Sequence, residues 1–296
     1  MTNDLQIGIS YALVAGALWG VGPLLLKRGM TRSNVSTAIL VEQCVSVATL
    51  IFAAALEGEL FRSDISSKAF WSFVAAGSVG ASFGKIFYYR GIDKVGASKS
   101  TSIKNGSPIL TTFLAMIFLG EELTVPVAIG VLLIVIGILA LARSETKGNG
   151  KPSHLRYLTY PFVAAVCFGI NPVFKKIGVD ASTLPTLGAL ITQTTALIVL
   201  LTGGRLLNIQ PRWEKIPKWS FILFVLSGVT EALGSLFTFY ALFYAPAVLV
   251  SPLWRISPLI TFLLVRFTLK GIEVVTLKDG VAATFIVGGI FVLSQT

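Results

Sequence analysis

The chain has 296 residues, of which 54% are hydrophobic and 13% are charged, and its mean hydropathy of +0.81 is too high for an ordinary soluble protein. A bilayer core about 30 Å thick needs about 20 apolar residues per helix, so this length allows about ten crossings and leaves little for a soluble domain. The net charge of +10 is spread over short loops and helix ends, which argues against a nucleic-acid-binding surface.

Apolar segments follow one another along the chain, separated by charged, glycine, proline or asparagine residues. Their predicted bounds are 7–29, 34–56, 69–91, 97–119, 124–142, 155–179, 183–204, 218–241, 246–269 and 274–294. The most hydrophilic stretch, 143–154, lies between the fifth and sixth segments and is rich in helix-breaking residues. We therefore predict a first half at 1–142, a linker at 143–154 and a second half at 155–296.

The two halves carry the same landmarks in the same order, which indicates an internal repeat. At an offset of about 150 residues the matched positions are Gly20/Gly169, Pro23/Pro172, Lys27/Lys176, Gln43/Gln193, Gly84/Gly234 and Ser107-Pro108/Ser257-Pro258. Because each half has an odd number of crossings, the second half enters the membrane from the opposite side. The sequence thus predicts an all-α integral membrane protein with ten transmembrane helices, arranged as two inverted five-helix repeats. Many secondary transporters with such repeats bind their solute near the membrane midplane.

Five ionisable residues fall well inside the predicted helices: Glu42, Lys85, Lys104, Glu231 and Arg255. A charge near the bilayer centre costs about 2.5 to 3.5 kcal/mol on insertion scales, so each needs a partner, water or a function. Three cations against two carboxylates leave a formal excess of one positive charge, which favours a small organic anion or zwitterion bearing a carboxylate or phosphate. A second interpretation stays open, in which these residues form structural ion pairs, such as Lys85 with Glu231, or extend toward headgroups.

Further polar and aromatic residues complete the candidate substrate-binding site: Trp19, Gln43, Tyr88, Asn105, Gln193, Tyr240 and Trp254. The aromatic rings would stack on a substrate or a cation, although packing is the commoner role for them. Proline residues at matched positions free carbonyl groups and predict bends or hinges at Pro23, Pro108, Pro172 and Pro258. The Gly16-x-x-x-Gly20 and Gly80-x-x-x-Gly84 patterns predict close contacts between helices.

Patterns for catalysis, metal binding or nucleotide binding do not occur, and the only histidine, His154, falls in the linker. We therefore expect no catalytic residue, metal site, cofactor or enzyme activity, and no nucleic-acid partner. The expected partners are a small-molecule solute, membrane lipid and a coupled proton or counter-substrate, for which Glu42 or Glu231 would supply a carboxylate. The chain is expected to act as a monomer or homodimer.

Each half opens with an aromatic-Gly-x-x-Pro-x-x-x-Lys motif, at Trp19 to Lys27 and at Phe168 to Lys176, and the fourth segment carries a Ser-Pro run from Ser107 to Glu122. Over nearly the whole chain these motifs resemble the drug/metabolite transporter superfamily, and its EamA-like branch most closely. The resemblance implies a secondary transporter that works by alternating access. It also leaves open an exporter of amino acids, including aromatic ones, or of drugs. A membrane scaffold or lipid-carrier binding protein without transport is the alternative from another class.

Lysine and arginine residues concentrate in the loops after the odd-numbered segments, whereas the even loops hold Arg62, Lys68, Lys175 and Lys176. The positive-inside rule then places the odd loops in the cytoplasm and both termini outside it, in a cytoplasmic (inner) membrane. The superfamily more usually has both termini inside, so the resemblance and the charge pattern predict opposite orientations.

Overall fold

The computed structural model describes residues 2–30, 33, 35–95, 100, 103–104, 106–144, 155–203, 216–257, 259–260, 264 and 277–295, and these residues include no β-strand. In the first half the helices are α1 (Thr2–Met30), α2 (Val35–Leu56), α3 (Ser67–Ala76), a π-helical segment (Gly77–Gly84), α4 (Lys85–Val95), α5 (Ser107–Leu119) and α6 (Val125–Ser144). In the second half they are α7 (Thr159–Asp180), α8 (Pro185–Gly203), α9 (Lys218–Tyr244), α10 (Ala247–Trp254) and α11 (Leu277–Ser294). Short 3-10 turns lie at Glu59–Phe61 and Leu155–Leu158.

The chain is a multi-pass integral membrane protein. Helices α3 and α4 run on through the π segment without a break, and counting this run once gives ten helices among the described residues, as predicted. Five of them are long and apolar enough to cross a membrane, and three more are shorter apolar helices. Large apolar side chains lie on their outer surfaces, for example Phe52, Phe162 and Phe291, each more than 60% exposed. Such a surface suits lipid rather than water.

Equivalent helices of the two halves run antiparallel, which confirms the inverted repeat. Along α6 and α11, Gly130 packs against Leu293 and Gly289, whereas Gly137, two turns later, packs against Ile286. Helices α2 and α8 also run in opposite directions, since the residues just beyond α2 bond to the start of α8 while Gln43 meets Gln193 farther along. Two copies of one unit whose matched helices are antiparallel are related by an axis in the membrane plane.

Contacts made by matched glycines repeat across this axis. Gly20 leaves room for Ile260 just as Gly169 leaves room for Leu110, and the Phe224 ring covers Gly29 just as the Phe73 ring covers Gly178. A Cβ atom at any of these four glycines would lie closer than 3.0 Å to its neighbour, so each glycine permits the helices to approach. Close packing at the predicted Gly16/Gly20 and Gly80/Gly84 motifs is confirmed as well, against α10 and α7.

A side chain from another helix packs against the π segment, whose turns are wider than those of an α-helix. Asn171 of α7 donates its Nδ2 proton to the carbonyl oxygen of Ala76 at 2.7 Å, and Gly80 leaves the space that Asn171 occupies. Insertion of a polar side chain beside a helical hydrogen-bond ladder is a known cause of local distortion. The ordinary α-helix resumes at Lys85, so this packing sets the position of that cation near mid-helix.

The fourth and ninth helices are both interrupted at the same point of the repeat. Gly106 N–H donates to Ile103 C=O and Ile109 N–H to Gly106 C=O, and the matched bonds Ile256 to Leu253 and Leu259 to Ile256 recur in the second half. These tight i to i+3 bonds replace the α-helical ladder just before each Ser-Pro pair. The helical ladder is therefore interrupted at Pro108, where a bend or hinge was predicted, whereas Pro258 and the side chain of Pro23 lie outside the described residues.

Candidate functional site

Charged side chains from both halves meet between the repeats. Glu42, Lys85, Glu231 and Arg255 interact there with a further cation, Lys175, which the sequence analysis did not select. The sixth charge, Lys104, lies beside Arg255. Four cations against two carboxylates give a formal excess of two positive charges, one more than the sequence analysis assigned to this region.

Lys85 and Glu231 form the ion pair that the sequence analysis considered for them. The Lys85 Nζ atom lies 2.9 Å from Glu231 Oε1, and the Gln193 Nε2 atom lies 3.5 Å from the same oxygen. The two charged side chains remain 24% and 17% exposed, although helices surround them. The pair is therefore partly buried rather than tightly packed on all sides.

Gln43 and Gln193 occupy the same position in the two repeats and bond to each other. Gln43 Nε2 donates to the side-chain Oε1 of Gln193 at 2.8 Å and to its backbone oxygen at 2.9 Å. Both residues are almost fully buried, at 1% and 3% exposure. A contact between equivalent residues lies on the axis that relates the repeats, so this pair marks the centre of the molecule.

Glu42 joins the cluster through a hydroxyl group. Ser227 donates to Glu42 Oε1 at 2.8 Å and lies 3.1 Å from the carbonyl oxygen of Gly22. Within the described part of the chain Glu42 has no basic group at ion-pair distance, but its charge interacts with Lys85 and Glu231. Both carboxylates thus interact with the Lys85 ammonium group.

Two cations flank the ring of Phe168 where the fourth and ninth helices are interrupted. Lys104 Nζ lies 5.6 Å from the Phe168 ring centre and 4.4 Å from that of Tyr88, and Arg255 Cζ lies 5.4 Å from Phe168. Neither cation has a carboxylate within 4.0 Å in the described part of the chain. Lys104 and Arg255 are both partly buried. This arrangement leaves positive charge available to an incoming anion.

Because Pro172 lacks an N–H group, the carbonyl oxygen of Phe168 is free to accept a hydrogen bond from Arg255. A proline has no N–H, so the carbonyl oxygen of Phe168, four residues earlier, loses its helical partner. Arg255 donates an Nη2 proton to that oxygen at 3.2 Å. The bond uses one of the five guanidinium protons and fixes the direction of the side chain, which leaves the other edge of the planar group for a ligand.

Lys175 was assigned to a loop in the sequence analysis, and that assignment is wrong for both Lys175 and Lys176. Helix α7 continues to Asp180, so the two lysines lie inside it. Lys175 is 5% exposed, with its Nζ atom 5.0 Å from the ring centre of Phe239 and 5.9 Å from that of Trp19. Lys176 bonds to Asp180 at 2.8 Å. The repeat offers a signal that would have found Lys175, because its equivalent is Leu26, an inward-facing residue that is 7% exposed.

The predicted aromatic residues do not all lie in one place: Trp19 and Trp254 contact each other, whereas Tyr240 lies near one membrane face. Trp19 and Trp254 meet edge to face at 6.5 Å, and the Trp19 indole Nε1 is buried without a hydrogen-bond partner in the described structure. Trp254 is only 2% exposed, which fits packing. Tyr240 lies away from the charge cluster, where its hydroxyl donates to Glu57 at 2.9 Å. Asn105 lies outside the described residues.

One membrane face closes through carboxylates that bridge the two halves, and we name it the acidic face after Glu57, Glu59 and Glu121. Besides Tyr240, Thr186 donates to Glu57, and the N–H of Leu187 donates to Glu59 at 2.6 Å. Glu121 accepts the N–H groups of Ala247 and Val248 at 2.8 and 2.7 Å. The last two carboxylates cap the starts of α8 and α10, where free N–H groups favour an anion. Burial raises the pKa of Glu59 and of Glu121 above the ordinary 4.5.

The comparison with known proteins rests on both halves. Residues 6–143 and 155–295 each match the EamA-like transporter family. The chain belongs to that family. An uncharacterized transporter of Clostridium kluyveri is 27% identical over 148 residues, which are 50% of this chain and 47% of the relative, so the match spans about half the length of that relative. The glucose uptake protein GlcU of Staphylococcus xylosus is 26% identical over 253 residues, which cover 81% of this chain and 73% of that protein.

A solved crystal structure shares the fold of this EamA-like transporter. It superposes with a TM-score of 0.80 over 96% of this chain and 95% of the solved chain, at 16% sequence identity. The match thus extends over both repeats and the region between them. The charge cluster of this chain accordingly lies within a transporter fold, between its two inverted halves.

Proposed function

We propose that the protein is a secondary transporter that moves a small organic anion or zwitterion, bearing a carboxylate or phosphate group, by alternating access. The observation that carries the proposal is the pair of cations at the interrupted fourth and ninth helices. Lys104 and Arg255 face aromatic rings rather than carboxylates, in contrast to Lys85, whose charge is matched by Glu231. An anion would supply the missing counter-charge.

The local electrostatics support this substrate class. Charges surrounded by apolar helices interact more strongly than in water, so Lys104 and Arg255, which have no carboxylate within 4.0 Å in the described part of the chain, attract an anion to the centre. Arg255 offers a planar fork to a carboxylate or phosphate, and Lys104 offers a point charge close to the same Phe168 ring. Lys85 and Glu231, whose charges are paired, act in this proposal as the structural support of the site.

The acidic face supports alternating access. Its bonds join Glu57 and Glu59 to α8 and α9, and Glu121 to α10, so they hold the first half against the second. In our proposal these bonds break when the halves rock apart on this side and the opposite side closes. The inversion of the repeats provides the second state, because the conformations of the two halves can be exchanged.

An uncharged sugar is a second candidate substrate, favoured by the likeness to a relative named as a glucose uptake protein. Trp19 and Tyr88 would stack on a sugar ring, and the unpartnered indole N–H of Trp19 would donate to a hydroxyl group. Amino acids and drugs remain alternatives in which these rings supply most of the affinity. In each of these cases the central cations would serve structure.

Transport into proteoliposomes separates the candidates. The panel contains lactate, glycerol 3-phosphate, glutamate, phenylalanine, glucose and choline, and the variants are Lys104→Gln, Arg255→Gln and the exposed control Lys68→Gln. We expect counterflow of an anionic probe in the wild type and the control, and a reduction of about tenfold or more in each site variant, since a charge-assisted hydrogen bond contributes about 1.5 to 3 kcal/mol. Transport of glucose alone, unchanged in both site variants, would refute the anion proposal.

We further propose that the protein lies in the cytoplasmic membrane with its acidic face and both termini outside the cell. The concentration of lysine and arginine residues in the loops after the odd-numbered segments supports this orientation. A single cysteine at Ser63, in a variant with Cys44 and Cys167 replaced by alanine, tests the orientation. A membrane-impermeant maleimide should label it in intact cells, and labelling only after lysis would refute this orientation.

A further inference from the structure

Lys175 is the most deeply buried cation of the charge cluster. It is 5% exposed and lies on the inner side of α7, facing α1 and α9. In the described structure it donates no side-chain hydrogen bond and has no carboxylate within 4.0 Å. The other two lysines near it differ, because Lys85 lies 2.9 Å from Glu231 and Lys176 lies 2.8 Å from Asp180.

A permanent charge at this position would be costly. Burying an ammonium group without a partner carries a penalty of several kcal/mol, whereas contact with aromatic faces returns about 2 kcal/mol. The rings of Phe239 and Trp19 lie 5.0 and 5.9 Å from the nitrogen, at the outer range of such contacts. Lysine, unlike arginine, relieves the cost by losing its proton. The empty site therefore favours the neutral amine.

The charges around Lys175 do not change this conclusion. Glu231 of α9 interacts with it at longer range, but the ion pair with Lys85 already uses that carboxylate. Lys85 of α4 and Arg255, which follows α10, are cations and repel a further positive charge. On α7 itself, Asp180 pairs with Lys176. An anion that enters the cluster is thus the partner that makes the ammonium form stable.

We propose that Lys175 takes up one proton when the anion binds and releases it when the anion leaves, so that the transporter carries each anion together with a proton. The inference rests on the proposed transport of an anion. The neutral amine gains a proton from the solution on the side of entry and becomes an ammonium ion paired with the anion. On the other side both the anion and the proton depart and the amine is restored, without any covalent bond to the substrate.

Calorimetric titration of the purified protein tests the proton count directly. The probes are lactate and glycerol 3-phosphate, measured between pH 7 and 8, where both are ionised, in two buffers that differ in ionisation enthalpy. The wild type should take up one proton per anion, and its affinity should fall about tenfold per pH unit as the pH rises, as linkage requires for one coupled proton. The exposed control Lys68→Gln should behave in the same way.

Two substitutions at Lys175 separate charge from titration. Arginine keeps the positive charge but does not lose its proton, so Lys175→Arg should bind the anion with no proton uptake and no dependence on pH. Methionine has a similar shape without a charge, so Lys175→Met should bind the anion at least tenfold more weakly, also without proton uptake. Retention of proton uptake in Lys175→Arg would overturn the role of Lys175 and point to Lys104, Glu42 or Glu231 instead.

The outcomes distinguish this inference from the proposed function. If the wild type binds either anion with no proton uptake and no dependence on pH, Lys175 is not a proton carrier, while anion transport stands. If the wild type binds neither anion at any pH and transports only an uncharged probe, both proposals fall together. Proton uptake of one in the wild type and zero in both Lys175 variants is the result that supports the inference.

Discussion

The ion pair between Lys85 and Glu231 predicts a specific cost for removing one charge. Glu231→Gln leaves the Lys85 ammonium, 24% exposed, without the carboxylate that lies 2.9 Å away. Breaking a buried pair in this way costs about 3 to 5 kcal/mol. Glu42 still attracts Lys85 after the change, so we take the lower end, about 3 kcal/mol. At about 2 °C per kcal/mol for a chain of this size, the melting temperature should fall by about 6 °C.

The double variant Lys85→Met with Glu231→Leu removes both charges and should recover most of that loss, because neither member of the pair is left without the other. The exposed pair Arg62 and Asp64 is the matched control. Its atoms lie even closer, at 2.6 Å, but the side chains are 53% and 58% exposed, so Asp64→Asn should leave the melting temperature unchanged.

Thermal unfolding in detergent, followed by tryptophan fluorescence, measures all these variants under one condition. The reasoning is refuted if Glu231→Gln and Asp64→Asn shift the melting temperature equally. It is refuted as well if the double variant is no more stable than Glu231→Gln alone.

Two further predictions concern packing and pH. Gly289→Ala should destabilise the protein by about 1 to 3 kcal/mol, because a Cβ there would lie 2.7 Å from the carbonyl oxygen of Gly130. The matched control is Gly288→Ala, whose Cβ would meet no atom within 4 Å. This variant should be neutral or slightly stabilising in the same thermal assay. Since burial raises the pKa of Glu121, its protonation stabilises the folded state fully below pH 4.5, and this contribution is lost as the pH rises through the raised pKa. The melting temperature of the wild type should therefore fall more than that of Glu121→Gln between pH 4.5 and 7, and parallel curves would contradict this.

The helices and their inversion were accessible from the sequence because they depend on properties that each segment carries alone. A run of apolar residues of membrane length must be helical to satisfy its backbone, and an odd number of crossings fixes the inversion. The partners Lys85 and Glu231 were also within reach, since two opposite charges inside a membrane gain by pairing. These predictions needed no knowledge of how particular side chains interlock.

Other features depend on contacts between helices and could not be predicted from the sequence. The π segment is distorted beside Asn171, a residue of another helix, and no pattern in the sequence of the segment predicts that contact. Tyr240 was predicted in the substrate-binding site, but it lies at the acidic face, where it meets Glu57. Lys175 was counted among the loop charges of the positive-inside rule, so its burial was not predicted. Comparison with Leu26 would have revealed its burial.

The bond between Gln43 and Gln193 has a consequence for the cycle of the transporter. When the two halves exchange conformations, each contact at one membrane face is replaced by the equivalent contact at the other face. The contact between Gln43 and Gln193 joins equivalent residues, so it is kept, but its donor and acceptor are exchanged. Gln43 now donates its amide proton, and in the opposite state Gln193 would donate. A side-chain amide signal from each glutamine would then report which way the molecule opens, while loss of both amides would weaken the two states alike and leave their populations in balance.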